Sequence, residues 1–216
     1  RSREIAAGMT EEEIGGRMSA ALSRRGVAPT VILVGADERL KTYRHLTPTP
    51  RRVKRYVLVN LCAAKWGLVV AVSRLVHFGA PPGALVKRME ACARVDAAYL
   101  AAARPGAALR DVFAAGAKAY ADGGWPDEWK KHHQGGPIGY FEREFLQHPA
   151  SADVVRLGMT VAFNPTLPEV KSEDTYLITA QGAENLTVTP GWPAITVKAA
   201  DSEFSRPAIL ALPISR

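Results

Sequence analysis

Apolar positions recur at helical spacing near the start of the chain, where Ile14, Met18 and Leu22 mark one face. Thr10 stands just before Glu11, Glu12 and Glu13, which predicts a helix N-cap followed by an acidic first turn. Gly26 is placed to close that helix. The run Val31 to Val34, ended by Gly35, predicts a short buried strand. Residues 36–55 are polar and carry His45, Pro48 and Pro50. Tyr56 to Asn60 and Leu68 to Phe78 read as strands, and Gly67 between them points to a hairpin or bent ribbon. Gly83 to Ala103 predicts a helix with Leu85, Met89, Cys92, Val95 and Leu100 as its apolar positions. Arg104-Pro105-Gly106 is a turn, and Leu109 to Ala121 a second helix with no strong cap, broken by Gly123-Gly124-Trp125-Pro126. Thr160 to Phe163, Thr175 to Thr179, Ala194 to Val197 and the stretch near Ala208 to Leu212 predict strands. No helical pattern separates these late strands, so the fold class is α+β rather than a doubly wound parallel sheet.

Composition narrows the picture. A chain of 216 residues suits one domain, taken here as residues 1–216, and 47% hydrophobic residues supply a sizeable core. Charged residues are only 23%, which excludes disorder by composition. The net charge of +7 is a weak pointer to nucleic acid, and no nucleic-acid partner is expected from it. Arg51-Arg52 with Lys54-Arg55 reads as a solvated turn. Cys62 and Cys92 give neither a disulfide framework nor zinc spacing. No apolar run is long enough to span a membrane and no leader pattern opens the chain, so a cytoplasmic location is expected. The chain begins at Arg1 without an initiator Met, which leads to the expectation that an N-terminal domain of a longer protein is missing.

Five segments, in order, resemble the creatinase and Xaa-Pro aminopeptidase family. They are the helix from Gly8-Met9-Thr10-Glu11, the turn Ala103-Arg104-Pro105-Gly106 with Leu109-Arg110-Asp111-Val112, and the strand Gly158-Met159-Thr160 through Asn164-Pro165. The last two are Ser172-Glu173-Asp174-Thr175 through Thr179, and Gly182 through Thr187. The resemblance covers roughly residues 1–198 and implies the pita-bread fold, a curved, mostly antiparallel sheet covered by helices. It also implies a homodimer.

Metal-dependent members of that family hold two divalent ions with Asp, Asp, His, Glu and Glu. Two such ions about 3.5 Å apart repel by roughly 19 kcal/mol at an effective dielectric of about 20, so several carboxylates are needed. Carried onto this sequence, the ligand positions fall on Asn60, Ala71, Gly136, Asn164 and Glu173. Only Glu173 is a carboxylate, and one carboxylate cannot hold two hard cations. No metal and no cofactor are therefore expected.

Creatinase works without metal, and Asn60 and Ala71 resemble its own residues at those positions. His45, in His45-Leu46-Thr47-Pro48, falls on its general acid/base, a role suited to an imidazole titrating near about 6.5. Glu173 falls on a carboxylate that binds the creatine guanidinium, and Arg143 on the arginine that holds the substrate carboxylate. Ser73 stands where creatinase has a second guanidinium-binding Glu, so creatine itself is a poor candidate.

The resemblance thus implies catalytic roles for His45 and Glu173, and a ligand pocket with Arg143, His133, Asn60, Ser73, Arg74 and Asn164. The bland readings are a loop histidine for His45 and a structural carboxylate, paired with Arg74 or Arg143, for Glu173. His132 and His133 are an unusual pair. On a strand they would point to opposite faces, which makes them poor ligands for one ion. His133 is the one expected to enter the pocket, with hydrogen bonding at a strand edge as the alternative. Cys62 reads as a buried inert thiol rather than a nucleophile. Of Trp125, Trp129 and Trp192, at least two are expected to pack in the core or at its edge. The leading reading is a metal-independent domain that binds, and hydrolyses at a C–N bond, a small amino-acid-like or peptide-like molecule. A non-catalytic binding domain and a metal-dependent aminopeptidase are the alternatives.

Overall fold

The computed structural model describes residues 5–214. Helix α1 (Glu11–Ser23) starts at the cap its sequence predicts. The Thr10 hydroxyl accepts from the Glu13 N–H at 3.0 Å, and the Glu13 carboxylate accepts from the Thr10 N–H at 2.6 Å. This reciprocal box satisfies two N–H groups that no helical turn can reach.

Strand β1 (Ala28–Ala36) is longer than the apolar run Val31–Val34, because pairing with β2 (Tyr56–Lys65) extends it at both ends and its last residues, Gly35 and Ala36, are buried as well. β2 returns into β3 (Leu68–Phe78) through Trp66-Gly67. Both turn residues have positive φ, 54° and 81°, the signature of the two-residue turn whose twist fits a hairpin. The short β12 (Leu210–Leu212) adds in parallel to β3, giving the order β1-β2-β3-β12. Alternation along β2 splits the sheet's faces. Val57 and Val59 pack with Ile14 on the α1 side, whereas Leu58 packs with Leu85 and Met89 of the next helix.

That helix is α3 (Gly83–Ala102), and α4 (Leu109–Asp122) follows it. They meet where Tyr99 lies over Gly116, a contact so close that a Cβ at 116 would sit 2.0 Å from the ring. The second four-stranded sheet is antiparallel, in the order β4 (Gly135–Pro137), β5 (Thr160–Phe163), β8 (Tyr176–Thr179), β9 (Gly182–Asn185). Two hairpins complete the fold, β6 (Thr166–Leu167) with β7 (Val170–Lys171), and β10 (Ala194–Ala199) with β11 (Ser202–Pro207). Cys62, Val69, Ala71, Ile138 and Ala162 form an apolar cluster that joins the two sheets.

A buried ion web ties these layers. Arg206 of β11 reaches Asp96 of α3 at 2.5 Å and Asp174 at 3.2 Å, and Asp174 also takes Arg74 of β3 at 2.8 Å. Trp125 and Trp129 pack against the larger core and Trp192 against the smaller one, which agrees with their packing role. Arg51, Arg52, Lys54 and Arg55 are exposed, as a solvated turn requires. The polar 36–55 segment holds a one-turn helix, α2 (Arg39–Thr42), that no periodicity announced. Among the described residues no helix is long and apolar enough to cross a membrane.

One expectation is corrected. His132 and His133 are not on a strand; β4 begins only at Gly135, and the pair follows a 3-10 turn at Glu128–Lys131. Strand pleating therefore does not separate them. Their rings stack, with centroids 4.4 Å apart and planes 25° from parallel.

Candidate active site

His45 is carried by an irregular loop, and two anchors fix that loop. The carboxylate of Glu11, fully buried, accepts from Ala36 N–H at 2.9 Å, Thr49 N–H at 3.0 Å and the Thr49 hydroxyl at 2.6 Å, and it pairs with Arg39. Leu46 packs so tightly on Gly35 that a Cβ there would lie 2.2 Å away, and its carbonyl accepts from Val34 N–H at 2.9 Å. A third tie reaches across, since Arg44 pairs with Glu128 just ahead of the histidine pair.

The histidine segment is pinned from below by Gln134. Its amide donates to the carbonyls of His132 at 2.6 Å and Trp129 at 3.2 Å. Its oxygen receives the hydroxyls of Tyr99 at 3.2 Å and Tyr120 at 3.0 Å, from α3 and α4. The result brings three imidazoles together. His45 Nε2 lies 3.2 Å from His132 Nε2, and the His45 ring stacks on His133 with centroids 5.4 Å apart.

Glu173 lies beside them on the segment after β7, 1% exposed. Its Oε2 accepts from Asn60 Nδ2 at 2.5 Å and Ser73 Oγ at 2.7 Å, with Lys171 Nζ at 3.3 Å. Its Oε1 accepts from Arg143 Nη2 at 2.7 Å. Burial opposes its ionisation, but Lys171 and Arg143 together with the Ser73 bond outweigh that and hold the carboxyl down at about 2. The same two cations act on the histidines. Burial first, then Arg143 and Lys171, lowers His133 to about 4. Burial and Lys171 lower His45 below its usual value, and burial with Lys171 lowers His132 far more. At neutral pH the cluster is three neutral imidazoles beside an ionised, doubly paired carboxylate.

The sequence-predicted residues thus divide. His45, His133, Asn60, Ser73, Arg143 and Glu173 converge. Arg74 instead turns to Asp174 and to Thr189 Oγ1 at 2.9 Å. Asn164 is buried, and its side-chain oxygen has no hydrogen-bond partner among the described residues. Cys62 is buried and its thiol is pushed up to about 11 by burial, so it is a poor nucleophile. Lys171 was missed. Its signal was spacing alone, two residues before Glu173, which puts both on one side of extended chain. Clefts of about 650 and 660 Å³ lie elsewhere and contain none of these residues. Neither holds His45, His132 or His133, so the clustered imidazoles rather than cleft size mark the site.

The fold and site together define an α+β domain with a buried, charge-paired carboxylate beside a histidine cluster, and comparison with known proteins gives its family. The model of metallopeptidase family M24 matches residues 2–180, and the chain belongs to that family. Its fold is the family's pita-bread fold. Among solved structures it is similar to dipeptidase PepE from Mycobacterium ulcerans (TM-score 0.80, 20% identity, covering 99% of this chain and 55% of that one). It is also similar to the prolidase from Pyrococcus horikoshii OT3 (0.78, 22%, 87% and 56%). The N-terminal domain of FACT complex subunit SPT16 from Cicer arietinum, chickpea, shares the fold too (0.70, 12%, 82% and 49%). The chain spans about half the length of these proteins, and identities this low show the fold alone. No curated protein sequence matches.

The family name implies metal, and these residues do not fit a pair of divalent ions. Ala71 and Gly136 offer no side-chain donor. The lone carboxylate already faces two cationic side chains. A histidine at 136 is also sterically barred: Gly136 has φ +148°, and a Cβ there would lie 2.6 Å from the Phe145 carbonyl oxygen.

Proposed function

We propose that this is an Xaa-Pro-peptidase-like domain that acts without a dinuclear metal site. It binds a small amino-acid-like or peptide-like molecule and hydrolyses a C–N bond in it. His45 carries the proton, and Glu173 with Arg143 positions the ligand. The observation that supports this most is the engagement of Glu173 by Asn60, Ser73, Arg143 and Lys171, where a metal site would need a free anion. His45 is neutral at pH 7 and therefore enters as a base. Glu173 stays ionised and serves as fixed charge. Arg143 Nε has no hydrogen-bond partner among the described residues, which leaves it as a donor for a ligand carboxylate.

The test is a thermal-shift and turnover screen of Xaa-Pro dipeptides and guanidino acids on protein dialysed against chelator. Stabilisation, turnover lost in His45→Ala, and no gain on adding manganese are expected. Manganese-restored turnover would sink this reading in favour of a conventional aminopeptidase. Ligand binding is also the point on which a non-catalytic binding domain differs. That second reading is favoured by the complete pairing of Glu173 and by the likeness to a subunit of a complex. No small-molecule stabilisation at all would select it. The homodimer belongs to the same proposal; light scattering should give twice the 23.3 kDa chain mass.

A further inference from the structure

The three imidazoles have a property that the proposed hydrolysis does not use. One ligating nitrogen from each of His45, His132 and His133 can be chosen so that all lie within 4.8 Å of one another. The closest pair, His45 Nε2 and His132 Nε2, is 3.2 Å apart. Two nitrogens bound at 2.0–2.1 Å to a tetrahedral ion stand about 3.3 Å apart, so this pair is already at ligand spacing. His132 is 8% exposed, and its Nδ1 has no hydrogen-bond partner among the described residues. A buried imidazole whose ring meets only another imidazole is poorly satisfied, and such a group calls for an absent partner.

We infer that His45, His132 and His133 form a mononuclear site for a borderline first-row cation such as zinc or cobalt. All three side chains are nitrogen donors, which suit these ions and not manganese or magnesium. The rings are already neutral at pH 7, so binding need displace few protons. His133 Nδ1 now accepts a long 3.3 Å bond from Gly135 N–H, so ligation through its other nitrogen moves the ring proton to Nδ1 and gives up that bond. His45 is exposed, so solvent reaches the cluster on its side. Lys171 and Arg143 weaken cation binding, and Glu173 offsets one of these two positive charges. An ion here occupies the lone pair that His45 would use as a base. Metal occupancy and proton transfer by His45 therefore exclude one another, and the site is inhibitory rather than catalytic.

The test needs no substrate, so its failure is separable from failure of the proposed hydrolysis. Cobalt(II) is titrated into the chelator-dialysed full chain and followed by visible absorption, with zinc uptake counted by elemental analysis. One equivalent of either ion and the intense bands of four-coordinate cobalt are expected. His45→Ala changes an exposed loop side chain and should keep the far-UV spectrum while weakening binding by about 100-fold or more, since loss of even an outer-shell partner costs about 10–100-fold. His148→Ala should change nothing, and manganese should not displace cobalt. No stoichiometric uptake by the folded chain, uptake indifferent to His45→Ala, or displacement by manganese would each overturn the inference.

Discussion

Glu173 is a buried charge centre. Two cations and two neutral donors are arranged around one buried carboxylate. Removing the anion strands buried positive charge, which typically costs about 3–5 kcal/mol. Glu173→Ala should therefore lower the urea unfolding free energy by about that much, and Lys171→Met should cost less, because Arg143, Asn60 and Ser73 still satisfy the carboxylate. Equal costs would show that the pairing is not centred on Glu173. His133 gives a second residue-scale prediction. Its pKa falls from 6.5 in the unfolded chain to about 4 in the fold, so the unfolded state binds the extra proton between those values. This stability term is whole above pH 6.5 and is lost as pH falls towards 4. In His133→Gln, which cannot titrate, the melting temperature should fall less than in the parent between pH 7 and 4. The Glu173–Arg143 pair was legible as an alternative role for the carboxylate. Lys171 was not, because a buried lysine looks like any surface lysine until its anion is placed beside it in space.

At the scale of elements, what could be read was what depends on near neighbours. The α1 cap needs only Thr10 and Glu13, and the β2–β3 hairpin needs only Trp66-Gly67 between apolar runs. The pieces that escaped are held by distant contacts. α2 is one turn long and sits in a loop anchored by Glu11 from α1. The histidine pair reads as strand because sequence shows the extended run but not where pairing starts, which is Gly135. The decisive contact is between loops, the Arg44–Glu128 pair that clasps the His45 loop to the turn before His132. Breaking it should loosen the constellation without unfolding the sheets. Arg44→Ala is expected to cost about 3 kcal/mol in stability, because Glu128 is 4% exposed and keeps only Lys131 as an ionic partner among the described residues. It should also raise hydrogen exchange at residues 43–47 and 130–133 together. Exchange rising in only one of the two segments would show that they are positioned independently.

Across the whole molecule, the question is what makes two sheets, four helices and a late hairpin behave as one body. The apolar cluster of Cys62, Ala71, Ile138 and Ala162 joins the sheets, and the hairpin β10–β11 is bound both by Val197 and Phe204 in the larger core and by charge. Arg206 is fully buried and spans from Asp96 on α3 to Asp174 beside the site residue Glu173. Burial already raises Asp96 to about 6 despite Arg206, so the arginine is what keeps it ionised near neutrality. In Arg206→Met the length is kept and the charge is lost. Asp96 must then either stay charged unpaired or take a proton, and its folded pKa rises above the parent's. A raised carboxyl pKa gives stability that is present at low pH and lost as pH climbs through the folded value. The variant's deficit against the parent should therefore be larger at pH 8 than at pH 5, by urea unfolding. A pure packing defect would give the same deficit at both. If residues 1–216 are one domain, the tryptophan and far-UV transitions of the variant should also move together, because the hairpin, α3 and the sheet lose the same tie. A separate early transition would mark β10–β11 as an independent appendage and remove the single-domain reading.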